Sequence, residues 1–122
     1  MNTREDALKI IDEAIKAVYP ENAVKKALEN LETTWGIKVV AIGKAAFRMA
    51  RAARETLKDC ISEGIVITKY GHSMGDIKGV EIFEAGHPIP DENTIKATNR
   101  ALDIVRNLKK DDILLLLISG GG

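Results

Sequence analysis

The spacing of apolar residues changes several times along the chain, and each change marks an element. Leu8, Ile11, Ile15 and Val18 recur at helical spacing behind a possible cap at Thr3, with Asp6 three residues on, which predicts a helix ended by Pro20. Glu21 and Asn22 open a second, shorter helix with Val24, Ala27, Leu28 and Leu31 on its apolar face. Residues 1–35 therefore read as an N-terminal helical layer. From Gly36 the pattern becomes dense: IKVVAI (37–42) is short, β-branched and almost wholly apolar, as a strand covered on both faces requires. The stretch from Gly43 to Lys58 then puts Ala46, Ala50, Ala53 and Leu57 on one helical face, with Arg48, Arg51, Glu55 and Lys58 opposite.

A strand at Ile65–Thr68 completes a βαβ unit, in which parallel pairing is favoured by the intervening helix. Residues 69–78 carry Gly71 and Gly75 without a helical period and lead to a short strand at Val80–Phe83, of open direction. Asp91 and Glu92 begin a helix to about Leu108, with Thr94, Thr98, Ala101, Val105 and Leu108 facing inward. The most apolar run, ILLLLI (113–118), is the candidate central strand. The fold expected is a three-layer α/β/α, Rossmann-like domain with a mostly parallel sheet, truncated after its fourth strand. No helix follows that strand, so one apolar flank is expected to be open to self-association, with a dimer as the simplest form.

Each predicted strand is followed by a loop with chemistry in it: GKAA (43–46), TKYGH (68–72), EAGHPIPD (84–91) and SGGG (119–122). In open parallel sheets ligands bind at the carboxyl ends of the strands, so the four loops are expected to converge on one site. A helix N-terminus at Gly43 would offer free backbone N–H groups, Lys44 a positive charge, and Gly120, Gly121 and Gly122 a close backbone approach to an anion. Phosphate and carboxylate are the groups such a site suits. Two prolines stiffen EAGHPIPD, which is expected to hold His87 at the strand ends while Pro90 and Asp91 launch the next helix.

Composition narrows the classes. The 122 residues make one ordinary domain, and 18 basic against 18 acidic residues leave no electrostatic footprint for nucleic acid or an anionic membrane surface. A single cysteine, Cys60, and the lack of a secretory or membrane-spanning run lead to the expectation of a cytoplasmic protein. Each candidate residue also has a plain structural reading. Lys44 alone would be a solvated first-turn lysine, and His72 or His87 alone a loop histidine bonded to local backbone. Neither a Walker A loop nor a G-x-G-x-x-G fingerprint is present, and no G-x-S-x-G elbow surrounds Ser119, which argues against a P-loop, a nicotinamide site and an acyl-transfer triad built on Ser119. Cys60, Trp35 and Phe47 read as packing residues.

In order along the chain, VVAIGKAAFRMA (39–50), GIVITKYGH (64–72), EAGHPIPDE (84–92) and LLLLISGGG (114–122) resemble the N-terminal part of the MOFRL-associated glycerate 2-kinases. The resemblance implies an enzyme, dependent on ATP and a divalent metal (Mg2+), that phosphorylates the 2-hydroxyl of D-glycerate. It implies that Lys44 is the catalytic lysine and that Gly43, Lys69, His72, Gly86, His87, Pro88 and Ser119 through Gly122 surround the substrate or the nucleotide. Metal ligands stay unassigned. Members of that family continue for several hundred residues into a second domain, so the chain is expected to be about half of a first domain and inactive by itself. A hydroxypyruvate reductase-like enzyme and a non-catalytic module that self-associates or binds phosphosugars are the alternatives.

Overall fold

The structure, a computed structural model, describes residues 8–11, 20–29, 36–86 and 91–119. In chain order these form β1 (Leu8–Ile11), α1 (Pro20–Leu28), β2 (Ile37–Ile42), α2 (Ala46–Leu57), β3 (Ile61–Lys69), β4 (Val80–Ala85), α3 (Glu92–Arg106) and β5 (Ile113–Ile118). The five strands make one sheet in the order β1-β5-β2-β3-β4, and every adjacent pair is parallel. The expected α/β class and parallel sheet hold, and the open direction of the strand at residue 80 is settled as parallel to β3.

Strand alternation divides the core in two. Ile37, Val39 and Ala41 of β2, Val66 of β3 and Leu115 and Leu117 of β5 pack with α1 and α2, whereas Val40, Ile65 and Leu114 pack with Ile104 of α3 on the other face. The sheet thus lies between two helical layers. The small-residue face read from the sequence is buried as expected, since Ala46, Ala50, Ala53 and Leu57 are all in the core, joined there by Phe47 and Met49. Small side chains let α2 lie close on the strands, while Arg51 covers the Phe47 ring with its guanidinium 5.5 Å from the centroid. Arg48 forks onto Glu21 with two bonds of 2.7 Å and fastens α1 to α2. Cys60 packs at the margin of this core.

Four expectations are corrected. Leu8–Ile11 was expected in a helix and is a strand: so short a segment, with Lys9 among Leu8, Ile10 and Ile11, fits either period, and pairing with the free side of β5 decides it. That pairing also removes the open flank expected of 113–118, because β5 lies between β1 and β2 and the sheet edges are β1 and β4. In α1, Pro20 is the first residue and not the stop before it, a position where its missing N–H costs nothing, and Ala27 is exposed while Ala23 is buried. In α3, Ala101, Val105 and Leu108 pack against the core as expected, but Thr98 is exposed and the fully buried positions are Ala97 and Ile104. The remainder of the expected first helix, Leu31 and Trp35 lie outside the described residues.

The connection from β3 to β4 is unusual because a parallel pair is normally joined through a helix. Residues 70–79 make the return without one, and Ile77, 6% exposed, plugs into the α2-side core on the way. Ten residues suffice, since extended chain covers roughly 3.3 Å per residue and β4 is only six residues long.

Candidate functional site

Register brings the strand ends to one edge. Ile42 pairs with Ile67 on one side and with Ile118 on the other, and Lys69 pairs with Ala85, so the residues that follow emerge together. A cleft of about 250 Å³ opens there, lined by Ile42, Gly43, Lys44, Ile67, Thr68, Lys69, Ala85, Gly86 and Thr94. The structure thus brings Gly43, Lys44, Lys69 and Gly86 of the sequence candidates to one cavity. His72 and Ser119 sit next to it in the chain but do not line it. His87, Pro88 and Gly120–Gly122 lie outside the described residues.

The turn after β2 is held from three sides. Gly43 donates its N–H to the Ile67 carbonyl (3.0 Å), and its own carbonyl accepts from the Ala46 N–H (3.1 Å) and from the Thr68 hydroxyl (2.8 Å). Thr68 is the one buried polar residue of the described core, and this bond satisfies it. Ser119 donates its N–H to the Ile42 carbonyl (3.0 Å), and its hydroxyl accepts from the Ala45 N–H (3.2 Å). The free donors expected at Gly43 are therefore not free: the amides of Gly43, Ala45 and Ala46 all have protein partners, and α2 itself begins only at Ala46. Ser119 acts here as a brace for the turn. Lys44 is carried past this brace into solvent, with no carboxylate partner among the described residues.

Two carboxylates organise the neighbouring loops. Glu84, on β4, accepts from the Gly71 N–H (3.1 Å), the Ser73 N–H (3.2 Å) and the Ser73 hydroxyl (2.6 Å). The Ser73 hydroxyl, followed by the loop amides, holds the Glu84 carboxyl below its ordinary range. Asp91 caps α3 in a reciprocal box with Thr94, and also accepts from the Gly86 N–H (3.3 Å) and the Tyr70 hydroxyl (2.6 Å), which Asn93 reaches in turn (2.8 Å). Its carboxyl is pulled down to about 2, chiefly by Tyr70, and the Tyr70 hydroxyl is pushed up by the same bond. Asp91 therefore launches α3 as expected.

Tyr70, Ser73, Glu84 and Asn93 were not found from the sequence. Glu84 did leave a signal: it follows Val80 and Ile82 at every second position, so a carboxylate stands where the alternation calls for an apolar side chain. Among the described residues no group of three or more His, Cys, Asp or Glu side chains could hold a metal ion. No described helix is long and apolar enough to cross a membrane.

The resemblance read from the four loops is borne out by comparison with known proteins. The chain is 53% identical to the D-glycerate 2-kinase of Thermotoga maritima over 95% of its own length, which is 28% of that protein. It is 39% identical to the glycerate 2-kinase of Pyrococcus horikoshii over its full length and 30% of that relative. The crystal structure of a glycerate kinase from Thermotoga maritima superposes with a TM-score of 0.81 at 48% identity, covering 97% of this chain and 27% of that one. The chain thus spans between a quarter and a third of the length of these relatives. Residues 6–122 match the model of the domain of unknown function DUF4147, and the chain belongs to that family.

Proposed function

We propose that the chain is the N-terminal part of a D-glycerate 2-kinase that transfers the γ-phosphoryl group of ATP to the 2-hydroxyl of D-glycerate. In this reading Leu8–Ile11 and residues 36–122 carry part of the first domain's sheet, and further chain completes the active-site cleft. The observation that carries it is the meeting of Lys44 and Lys69 in one small cleft at the strand ends, in a chain 53% identical to a protein of that name. The volume lies below the roughly 300–1,000 Å³ of drug-sized pockets, which favours a small acid over a nucleotide as its occupant.

The cleft's chemistry supports the reading. Ile42 and Ile67 supply apolar surface beside the two lysines, next to which charges interact more strongly than in bulk solvent. Lys44 is the catalytic lysine of the proposal, neutralising charge on the transferring phosphoryl group, and Lys69 faces the carboxylate of the acid. Gly43, His72, Gly86, His87, Pro88 and Ser119–Gly122 are the proposed surroundings of substrate and nucleotide. The described residues offer no cluster to hold Mg2+, so no step is assigned to a protein-bound metal.

The test is ADP release coupled to D-glycerate phosphorylation, measured on this chain and on the chain continued by the remaining sequence of the Thermotoga relative, each with and without Lys44→Ala. Turnover in the extended protein that Lys44→Ala removes is the expected result. An extended protein that folds but does not act on D-glycerate, or that keeps full turnover without Lys44, refutes the proposal.

A further inference from the structure

β3 ends at Lys69, at the cleft, and the turn that follows carries His72, beside it. The bond from the His72 N–H to the Lys69 carbonyl (3.0 Å) closes the turn on itself and does not orient it. Orientation comes from the Tyr70 hydroxyl, which donates to Asp91 (2.6 Å) on the side of α3, and, on the side of β4, from Glu84. One oxygen of that carboxylate collects three donors from Gly71 and Ser73, and it sits one residue before Ala85, which pairs with Lys69 and lines the cleft. The turn is thus fixed to the neighbouring strand by a single side chain.

We propose that Glu84 is a positioning residue of the cleft, one that holds the turn after Lys69, and so sets where Lys69 meets the bound acid, without touching the acid itself. The inference rests on the glycerate reading for the identity of the ligand, and on geometry alone for the clamp. An aspartate could not replace it, because a side chain one methylene shorter does not reach amides now at 3.1 and 3.2 Å. A glutamine could in part: its amide oxygen accepts from the same two N–H groups while the charge is lost.

The experiment uses the isotope-labelled chain, continued by the remaining sequence of the Thermotoga relative as in the turnover test, and its Glu84→Ala and Glu84→Gln variants, with Ser73→Ala as a second route should Glu84→Ala fail to fold. Amide signals of Gly71 and Ser73 report the clamp, and D-glycerate titrations followed at Lys69 and His72 report its consequence. Expected are upfield movement of both amides in Glu84→Ala, at least tenfold weaker D-glycerate binding, and substantial recovery of both in Glu84→Gln, with the melting transition retained. Equal D-glycerate affinity in Glu84→Ala and the unsubstituted chain overturns the proposal and leaves the kinase reading intact. If the unsubstituted chain gives no response to D-glycerate, the reading of the cleft fails and the amides decide the clamp: unmoved Gly71 and Ser73 signals overturn it, and moved ones, with displaced Lys69 and His72 signals, uphold it.

Discussion

Replacing Gly43 by alanine tests the brace that carries Lys44. The residue has φ +119°, where side chains are rarely tolerated, and an added Cβ would lie 2.1 Å from the Ser119 hydroxyl oxygen and 3.0 Å from the Ser119 carbonyl oxygen. Backbone strain contributes ~1–3 kcal/mol, and the enforced shift of a packed neighbour ~1–3 kcal/mol more. A total of about 4 kcal/mol is a large part of the ~5–15 kcal/mol that holds a domain of this size together. At about 4 °C per kcal/mol the melting temperature should fall by about 15 °C. Ser119→Ala by itself strands the Ala45 N–H and costs ~1–2 kcal/mol. In the double variant the 2.1 Å clash disappears, so the two losses should fall short of their sum by ~2 kcal/mol. The assay is urea denaturation of the four chains. A Gly43→Ala chain within ~1 kcal/mol of the unsubstituted one, or losses that simply add, would refute the reasoning.

Other substitutions separate stability from function and test the electrostatics. Lys44→Ala removes an exposed side chain without a described partner and should leave stability within ~0.5 kcal/mol, by the same denaturation assay, while abolishing turnover in the extended enzyme. Asp91 is depressed from 3.8 to about 2, so its contribution to folding is complete above pH 3.8 and disappears as the pH falls towards 2; acid titration of its carboxyl carbon signal should show this. In Tyr70→Phe the chief cause of that depression is gone, and the Asp91 titration should move upward; an unmoved titration would dissociate the two groups. Arg100 joins Glu63 (2.8 Å) and Glu81 (2.5 Å) across β3 and β4, yet the network is partly exposed, so Arg100→Met should cost no more than ~1 kcal/mol, and less in high salt.

Much of the architecture was legible because burial on both faces leaves an unmistakable mark. IKVVAI and ILLLLI read as covered strands, and the alanine face of α2 as one that can lie close on a sheet. Leu8–Ile11 was misread because a helical period over four residues is indistinguishable from a short strand until a partner is known, and its partner lies at the far end of the chain. At the site, the convergence of Gly43, Lys44, Lys69 and Gly86 followed from strand ends alone. What each group is bonded to did not. The Gly43 amides looked like free donors because nothing in GKAA announces that Ile67 and Ser119 occupy them. Glu84 and Tyr70 escaped for the same reason: their roles reside in hydrogen bonds between segments that only the folded sheet brings together.

The position of β5 has a consequence for how the chain acquires its fold. The fifth strand in chain order stands inside the sheet, with β1 on one side and β2 on the other. During translation β2, β3 and β4 can pair as they emerge, but β1 must wait for a partner about a hundred residues further on. Until then the β2 flank is an open template and β1 an unpaired apolar segment, a slow, long-range closure of the sort that sets folding rates in parallel sheets. A ribosome stalled before Ile113 should therefore present a partly ordered β2–β4 unit in need of protection, and the emergence of β5 should let β1 and β2 close on it in one cooperative step.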